Sequence, residues 1–123
     1  AVQYSLPIKI FILNNEYMGM VRQWQELLHE KNYSESYTAA LPDFVKLAEA
    51  YGCVGMRATK PEELDDKIIE MINTDRPVIF DCLVDKEENC FPMIPSGKPH
   101  NQMLLGPKDQ KSNKITGKGK TLV

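Results

Sequence analysis

The sequence has few cysteines and histidines, and it lacks the spacings that are typical of cross-linked or metal-binding proteins. Its three cysteines, Cys53, Cys82 and Cys90, form no Cys-x-x-Cys pair, so neither a disulfide framework nor a zinc site is indicated. The two histidines, His29 and His100, have no metal-binding partner three or four residues away. We therefore expect reduced thiols, and we interpret each histidine as a surface residue rather than a metal ligand.

The sequence also lacks a strong positive charge and a long apolar run. A formal net charge of -2 provides no basic field for a nucleic-acid backbone. No apolar stretch approaches the roughly 18 to 20 residues of a membrane span, and the start has no basic region typical of a signal peptide. With 123 residues, of which 42% are hydrophobic, we expect one globular, cytoplasmic domain that binds neither nucleic acid nor membrane.

The apolar residues that are present predict strands and helices in alternation. Residues 8–13 form a short apolar run typical of a strand that is covered on both faces. From Met20 to residue 28, apolar residues recur at helical spacing, and polar residues including Arg22 and Gln23 fill the other face. A loop then ends at Asp43, the predicted N-cap of a helix that stops near Gly52.

The second half of the chain continues this alternation. Residues 53–58 predict a short strand, residues 59–62 a capping box for the next helix, and residues 76–85 a strand apolar enough to be central. Residues 88–99 are too rich in proline and glycine for a regular element. We predict one domain over residues 1–106 and a polar tail over residues 107–123. Residues 1–4 look like the last turn of a helix, which suggests a truncated chain.

The resulting order of elements, β, α, α, β, α, β, predicts an α/β fold. We expect an open, mostly parallel sheet with helices on both faces and right-handed crossovers. In such sheets, ligands bind beyond the carboxyl ends of the strands. The pair Asn14-Asn15 stands at such an end.

The asparagine pair has two interpretations. A side-chain amide oxygen suits Mg²⁺, and a helix that begins near Gly19 would direct its free N–H groups at phosphates. Alternatively, Asn14 and Asn15 only turn the chain, which these two residues alone favour. Likewise, the spacing of Met20 and Trp24 is also that of core residues on one helical face.

A longer stretch, ILNNEYMGMVRQWQELLHEKNYSESYTAALPDFVKLAEAYG, resembles the carboxyl-terminal cofactor-binding domain of a known family. That family is acetohydroxyacid synthase (acetolactate synthase), catalytic large subunit, a group of thiamine-diphosphate enzymes. The resemblance runs from Ala1 to about Gly106. It implies that the thiamine-diphosphate-binding fold is incomplete at its amino terminus, with the Gly-Asp-Gly half of the metal motif expected upstream.

The resemblance also implies roles for individual residues. Asn15 would supply its side-chain amide to Mg²⁺, and Tyr17 its backbone carbonyl. Gly19 and Met20 would lie against the diphosphate and thiazolium parts of the cofactor. Trp24, together with Met20, would shape the pocket for the 2-ketoacid acceptor. No residue of this stretch is assigned a catalytic role, because the family's catalytic glutamate lies in another domain of a partner subunit.

The activity implied by the resemblance is the condensation of pyruvate with pyruvate or 2-ketobutyrate in branched-chain amino-acid biosynthesis. It would require thiamine diphosphate and Mg²⁺, and the family also binds FAD through a domain that this chain lacks. A homodimer or tetramer and a possible regulatory small subunit are implied, and the chain alone is expected to be inactive. Two alternatives are another thiamine-diphosphate-dependent decarboxylase or carboligase and a non-catalytic α/β interaction domain.

Overall fold

The computed structural model describes residues 1–112 and contains three strands and three α-helices in the predicted order. The remaining residues, most of the predicted polar tail, lie outside the described part. The elements are β1 (Lys9–Asn14), α1 (Gly19–Leu28), α2 (Phe44–Ala50), β2 (Val54–Ala58), α3 (Leu64–Asn73) and β3 (Val78–Leu83). Short 3₁₀ turns occupy Pro61–Glu63, His100–Gln102 and Pro107–Ser112.

The three strands form a parallel sheet in the order β1-β3-β2. Phe80 of β3 is paired with Phe11 of β1 on one side and with Met56 of β2 on the other. The apolar run of β3 therefore predicted its central position correctly. The predicted class, an open parallel sheet with helices, is confirmed.

Helices cover both faces of the sheet because side chains alternate along each strand. One face of β2 and β3 carries a core with α3, formed by Met56, Ala58, Met71, Val78 and Phe80. On the opposite face, Gly55 lies against the backbone of Val45 in α2. This close approach requires a residue without a side chain at position 55.

The predicted ends of α2 are confirmed. The side chain of Asp43 accepts hydrogen bonds from the backbone N–H groups of Val45 and Lys46, at 3.1 and 3.4 Å. It thereby satisfies two of the donors that a helix leaves free at its first turn. At the other end, Gly52 adopts a positive φ of 79°, the conformation that commonly terminates a helix.

The predicted capping box before α3 is shifted by one residue. The carboxylate of Glu63, rather than that of Glu62, accepts from the backbone N–H groups of Thr59 and Lys60, at 2.5 and 3.0 Å. Pro61 inserts a 3₁₀ turn before the α-helix, which moves the reaching glutamate one position along. Lys67 lies 2.8 Å from the same side chain. The hydrogen bond from Lys67 and the backbone N–H groups of Thr59 and Lys60 lower the pKa of Glu63 to about 2.

The described chain divides into two compact units. The first, the sheet unit, consists of Ala1–Glu16 and Thr38–Glu87. The second, the α1 unit, consists of Tyr17–Tyr37 and residues 88–112. The boundary at Gly106 stays a prediction. Within residues 1–112, no helix is both long and apolar enough to span a membrane.

Candidate functional site

Asn15 immediately follows the carboxyl end of β1, as predicted, in a turn of the sheet unit. Asn14 shapes this turn because its Oδ1 accepts a hydrogen bond from the backbone N–H of Glu16 at 3.1 Å. Its Nδ2 donates to Oδ1 of Asp81, at 2.8 Å, on the neighbouring strand β3. The asparagine pair therefore does turn the chain, and Asn14 is the residue whose side chain makes the turn.

Glu16 adopts a left-handed backbone conformation, with φ of 58°, which is uncommon for residues other than glycine. Its carbonyl oxygen accepts from the N–H and from the hydroxyl of Thr38, at 2.9 and 2.6 Å. Its carboxylate is paired with Lys86 at 2.5 Å. The sheet unit thus holds both the backbone and the side chain of this strained residue.

A buried carboxylate lies beneath the turn. Asp81 is 2% exposed, and its second oxygen accepts from Nε of Arg57 at 2.9 Å. Arg57 also donates from Nη2 to Asp43, the N-cap of α2, at 2.8 Å. The hydrogen bond to Asp81 raises the pKa of Arg57, against the effect of burial. Although desolvation opposes it, the N–H of Lys46 and the charge of Arg57 hold the pKa of Asp43 below its usual value.

In the α1 unit, Gly19 is the first residue of α1, and Tyr17 lies just before the helix. The N-cap residue, Met18, makes no side-chain cap hydrogen bond within the described part of the chain, and no acidic residue stands in the first turn. The first N–H groups of α1 therefore meet no capping carboxylate from their own helix. A helix start of this kind is compatible with an anion such as a phosphate.

Met20 and Trp24 line one pocket of about 600 Å³. Met20 is 54% exposed within the described residues, whereas Trp24 is half-buried. The same pocket is lined by four residues that were not predicted to belong to a pocket: Val21, Gln25, His29 and Asn32. Three of them, Val21, Gln25 and His29, recur every four residues. Residues at this spacing lie on the same face of a helix, so the sequence contained a signal that these three are neighbours. His29 was interpreted only as a surface residue.

Part of the polar face of α1 is buried, although polar residues at helical spacing commonly face solvent. Arg22 is 4% and Gln23 1% exposed. The guanidinium of Arg22 donates to Glu26 at 2.8 Å and to Asn89 at 2.9 Å, and it lies 5.7 Å from the ring centroids of Tyr17 and Tyr33. The polar side chains are buried because they bind the segment that follows β3.

That segment has no helix or strand over residues 88–99, as its proline and glycine content predicted. Met93 and Leu104 form an antiparallel bridge with hydrogen bonds of 2.9 and 2.7 Å. Gln23 donates to the carbonyl of Cys90 and to the sulfur of Met93. Residues 88–106 are called the arm below. Helix α1 binds the arm through the buried side chains of Arg22 and Gln23.

The described residues contain no group of three or more histidine, cysteine or acidic side chains that could hold a metal ion. The asparagine turn offers a donor of another kind, the side-chain amide oxygen of Asn15. Such neutral, hard donors suit Mg²⁺ when a ligand supplies further oxygens, as a diphosphate does. The donor chemistry of the turn therefore fits a magnesium diphosphate.

The chain is similar to curated proteins along most of its length. It is 50% identical over 103 residues to the acetolactate synthase large subunit of Cyanidium caldarium, covering 83% of this chain and 18% of that one. Identity to the Escherichia coli isozyme 3 large subunit is 44%, covering 85% and 19%. Identity to the mitochondrial catalytic subunit of Saccharomyces cerevisiae is 50%, covering 85% and 15%. The chain thus spans less than a fifth of the length of these relatives.

A solved structure and a family profile agree with these relatives. The thiamine diphosphate-dependent 4-hydroxybenzoylformate decarboxylase of Rhodococcus jostii RHA1 has a TM-score of 0.62 and 28% identity, covering 72% of this chain and 17% of that one. Residues 1–82 match the profile of the family described as thiamine pyrophosphate enzyme, C-terminal TPP binding domain. Since this match includes well over half of the chain, the protein belongs to the family of thiamine pyrophosphate enzymes, as a C-terminal TPP binding domain.

Proposed function

We propose that this chain is the cofactor-binding part of an acetolactate synthase large subunit, which condenses pyruvate with pyruvate or 2-ketobutyrate. The observation that carries the proposal is the 40–50% identity to acetolactate synthase large subunits over most of the chain. The pocket beside Met20 and Trp24 supports it, because a largely apolar cavity suits a small 2-ketoacid.

For the cofactor, we propose that Asn15 binds Mg²⁺ through its side-chain oxygen and Tyr17 through its backbone carbonyl. Both residues are assigned to the same metal ion because of their order along the chain, with Tyr17 two positions after Asn15. Gly19, at the start of α1, would allow close approach of the diphosphate, and Met20 would lie against the thiazolium ring. Bound thiamine diphosphate supplies the carbanion stabilisation that the reaction requires.

For the substrate, Met20 and Trp24 form the wall that orients the acceptor ketoacid and excludes water. The indole offers a broad apolar surface, which favours the longer alkyl group of 2-ketobutyrate. His29 and Asn32, on the same pocket, provide polar groups within that cavity. This division between an apolar wall and a few polar groups is common in small-molecule sites.

The remaining parts of the proposed enzyme are outside this chain. They include FAD, a possible regulatory small subunit and the partner subunit of a homodimer or tetramer. We therefore expect that this chain alone does not catalyse the condensation. A thiamine diphosphate-dependent decarboxylase is the second candidate function, favoured by the structural match to the Rhodococcus enzyme.

The test is a product assay with the full-length protein that carries this domain, supplied with pyruvate, thiamine diphosphate, Mg²⁺ and FAD. Formation of acetolactate that requires the first cofactor and the metal supports the proposed activity. Release of acetaldehyde without acetolactate would instead identify the decarboxylase. No turnover of pyruvate or 2-ketobutyrate would contradict the proposed activity, and no decarboxylation of 4-hydroxybenzoylformate either would contradict the second candidate.

A further inference from the structure

We propose that Asn14 and Asp81 together form a positioning device that presents Asn15 to the metal. The inference relies on the proposed metal-binding role of Asn15, and it assigns functions to two residues that do not touch the ion. The side chain of Asn14 would fix the conformation of the turn, and Asp81 would hold that side chain in place through a hydrogen bond.

The two hydrogen bonds of Asn14 define the orientation of its amide. The N–H of Glu16 can only donate, so the atom that faces it at 3.1 Å must be the oxygen. The carboxylate of Asp81 can only accept when ionised, so the atom that faces it at 2.8 Å must be the nitrogen. Both contacts demand the same orientation, and an asparagine satisfies them simultaneously.

Asp81 is itself held in place. It is 2% exposed and projects from the central strand β3. Its other oxygen accepts from Arg57 of β2. Since Ile12 is the residue of β1 directly opposite Asp81, the bond from Asn14 crosses diagonally between strands. The carboxylate therefore ties the end of β1 to both of the other strands.

This arrangement is difficult to explain by stability alone. Burying the carboxylate of Asp81 costs desolvation energy, and its partner Arg57 remains 37% exposed at the side chain, so an apolar residue of similar volume at position 81 could give equal or greater stability. The left-handed backbone of Glu16 adds a further cost. The sheet unit nevertheless fixes this residue at its N–H, its carbonyl and its carboxylate. The polar network is explained if it sets the direction in which Asn15, between Asn14 and Glu16, leaves the strand.

The experiment uses the full-length protein and measures the Mg²⁺ concentration that gives half-maximal binding of thiamine diphosphate, by equilibrium dialysis. Asn14→Ala removes both hydrogen bonds and should raise that concentration by about tenfold, because residues that orient metal ligands typically contribute a factor of this size. Asp81→Asn, which keeps the volume, should raise it in the same direction, and it supplies the result if Asn14→Ala does not fold.

The matched control is Lys9→Met at the other end of β1. Lys9 donates to the backbone carbonyls of Thr74 and Arg76, at 2.5 and 2.9 Å, so its loss should lower the melting temperature without changing the metal requirement. A metal requirement of the Asn14 and Asp81 variants that equals that of Lys9→Met would overturn the positioning role.

The same titration separates this inference from the proposed function. If the unmodified protein fails to bind thiamine diphosphate, the proposed function is wrong and the positioning role is lost with it. If it binds the cofactor normally but Asn15→Ala leaves the metal requirement unchanged, only the assignment of Asn15, and with it the positioning role, is overturned.

Discussion

Gln23 binds the backbone of Cys90 through both ends of its side-chain amide. Its Nε2 donates to the carbonyl of Cys90 at 3.0 Å, and its Oε1 accepts from the N–H of Cys90 at 2.7 Å. The side chain is 1% exposed. Helix α1 therefore acts as the support for the start of the arm.

The first prediction is that Gln23→Glu destabilises the α1 unit. The substituted carboxylate can still accept from Cys90 N–H, but it places an acceptor against the carbonyl oxygen of Cys90. An unsatisfied buried group costs about 1–3 kcal/mol, and more when it is charged. Denaturant unfolding, with limited proteolysis to detect release of the arm, measures the effect.

The control is Gln102→Glu, at an exposed position, which should change the free energy of unfolding by less than about 0.5 kcal/mol. Equal effects in both variants would contradict the role of Gln23.

The second prediction concerns acid. Because the pKa of Glu63 is lowered from 4.5 to about 2, its ionised form stabilises the fold above pH 4.5. That contribution is lost as the pH falls from 4.5 towards 2. Glu63→Gln should therefore be less stable than the unmodified protein at pH 6, with the difference shrinking by pH 2.5. Thermal unfolding across this range is the measurement. A difference that stays constant with pH would refute the assignment.

The third prediction is that Gly55→Ala destabilises the sheet unit. An added Cβ would lie 2.6 Å from the carbonyl oxygen of Val45 and 2.9 Å from its Cα. Because both are backbone atoms, α2 must move, at a cost of about 1–3 kcal/mol. Gly106→Ala is the control, since nothing lies within 4 Å of its added Cβ. Equal melting temperatures for the two variants would show that α2 does not pack against Gly55 as described.

The fourth prediction tests the pocket wall. In the full-length protein, Trp24→Leu should reduce the preference for 2-ketobutyrate over pyruvate by roughly tenfold, since one methyl group in an apolar pocket contributes about 1–3 kcal/mol. Pyruvate decarboxylation should be less affected. Competition assays with both ketoacids, run beside a melting curve, measure these effects. An unchanged product ratio with a large loss of melting temperature would make Trp24 a structural residue.

The fifth prediction tests the metal ligand by exchanging its chemistry. Asn15→Ala removes the side-chain oxygen, so activity of the full-length protein at limiting Mg²⁺ should fall and recover partly with excess metal. Asn15→Asp retains a hard oxygen donor and should need less Mg²⁺ than the alanine variant. Activity as a function of Mg²⁺ concentration distinguishes them. Indistinguishable curves for all three proteins would remove Asn15 from the ligand set.

The strands, the ends of α2 and the central place of β3 could be predicted because their signals are local. An apolar run identifies a buried strand, and Asp43 precedes the helix that it caps. The supports of the candidate site could not be predicted in this way. Asp81 lies 67 residues from Asn14, and Cys90 lies 67 residues from Gln23. Polar residues at helical spacing indicate an exposed face, so the burial of Arg22 and Gln23 depends on a partner segment that periodicity does not reveal.

The strand order β1-β3-β2 has a consequence for synthesis on the ribosome. The central strand is the last of the three to be translated, and within residues 1–112 the strands β1 and β2 pair only with it. Until Val78–Leu83 has left the exit tunnel, the edges of β1 and β2 that pair with it are uncovered, and such edges are prone to non-native pairing. The β1–β3 and β2–β3 pairs therefore form only after almost all of the sheet unit has been synthesised, and such long-range pairing is slow. Protection of the emerging chain by chaperones would matter most during this interval.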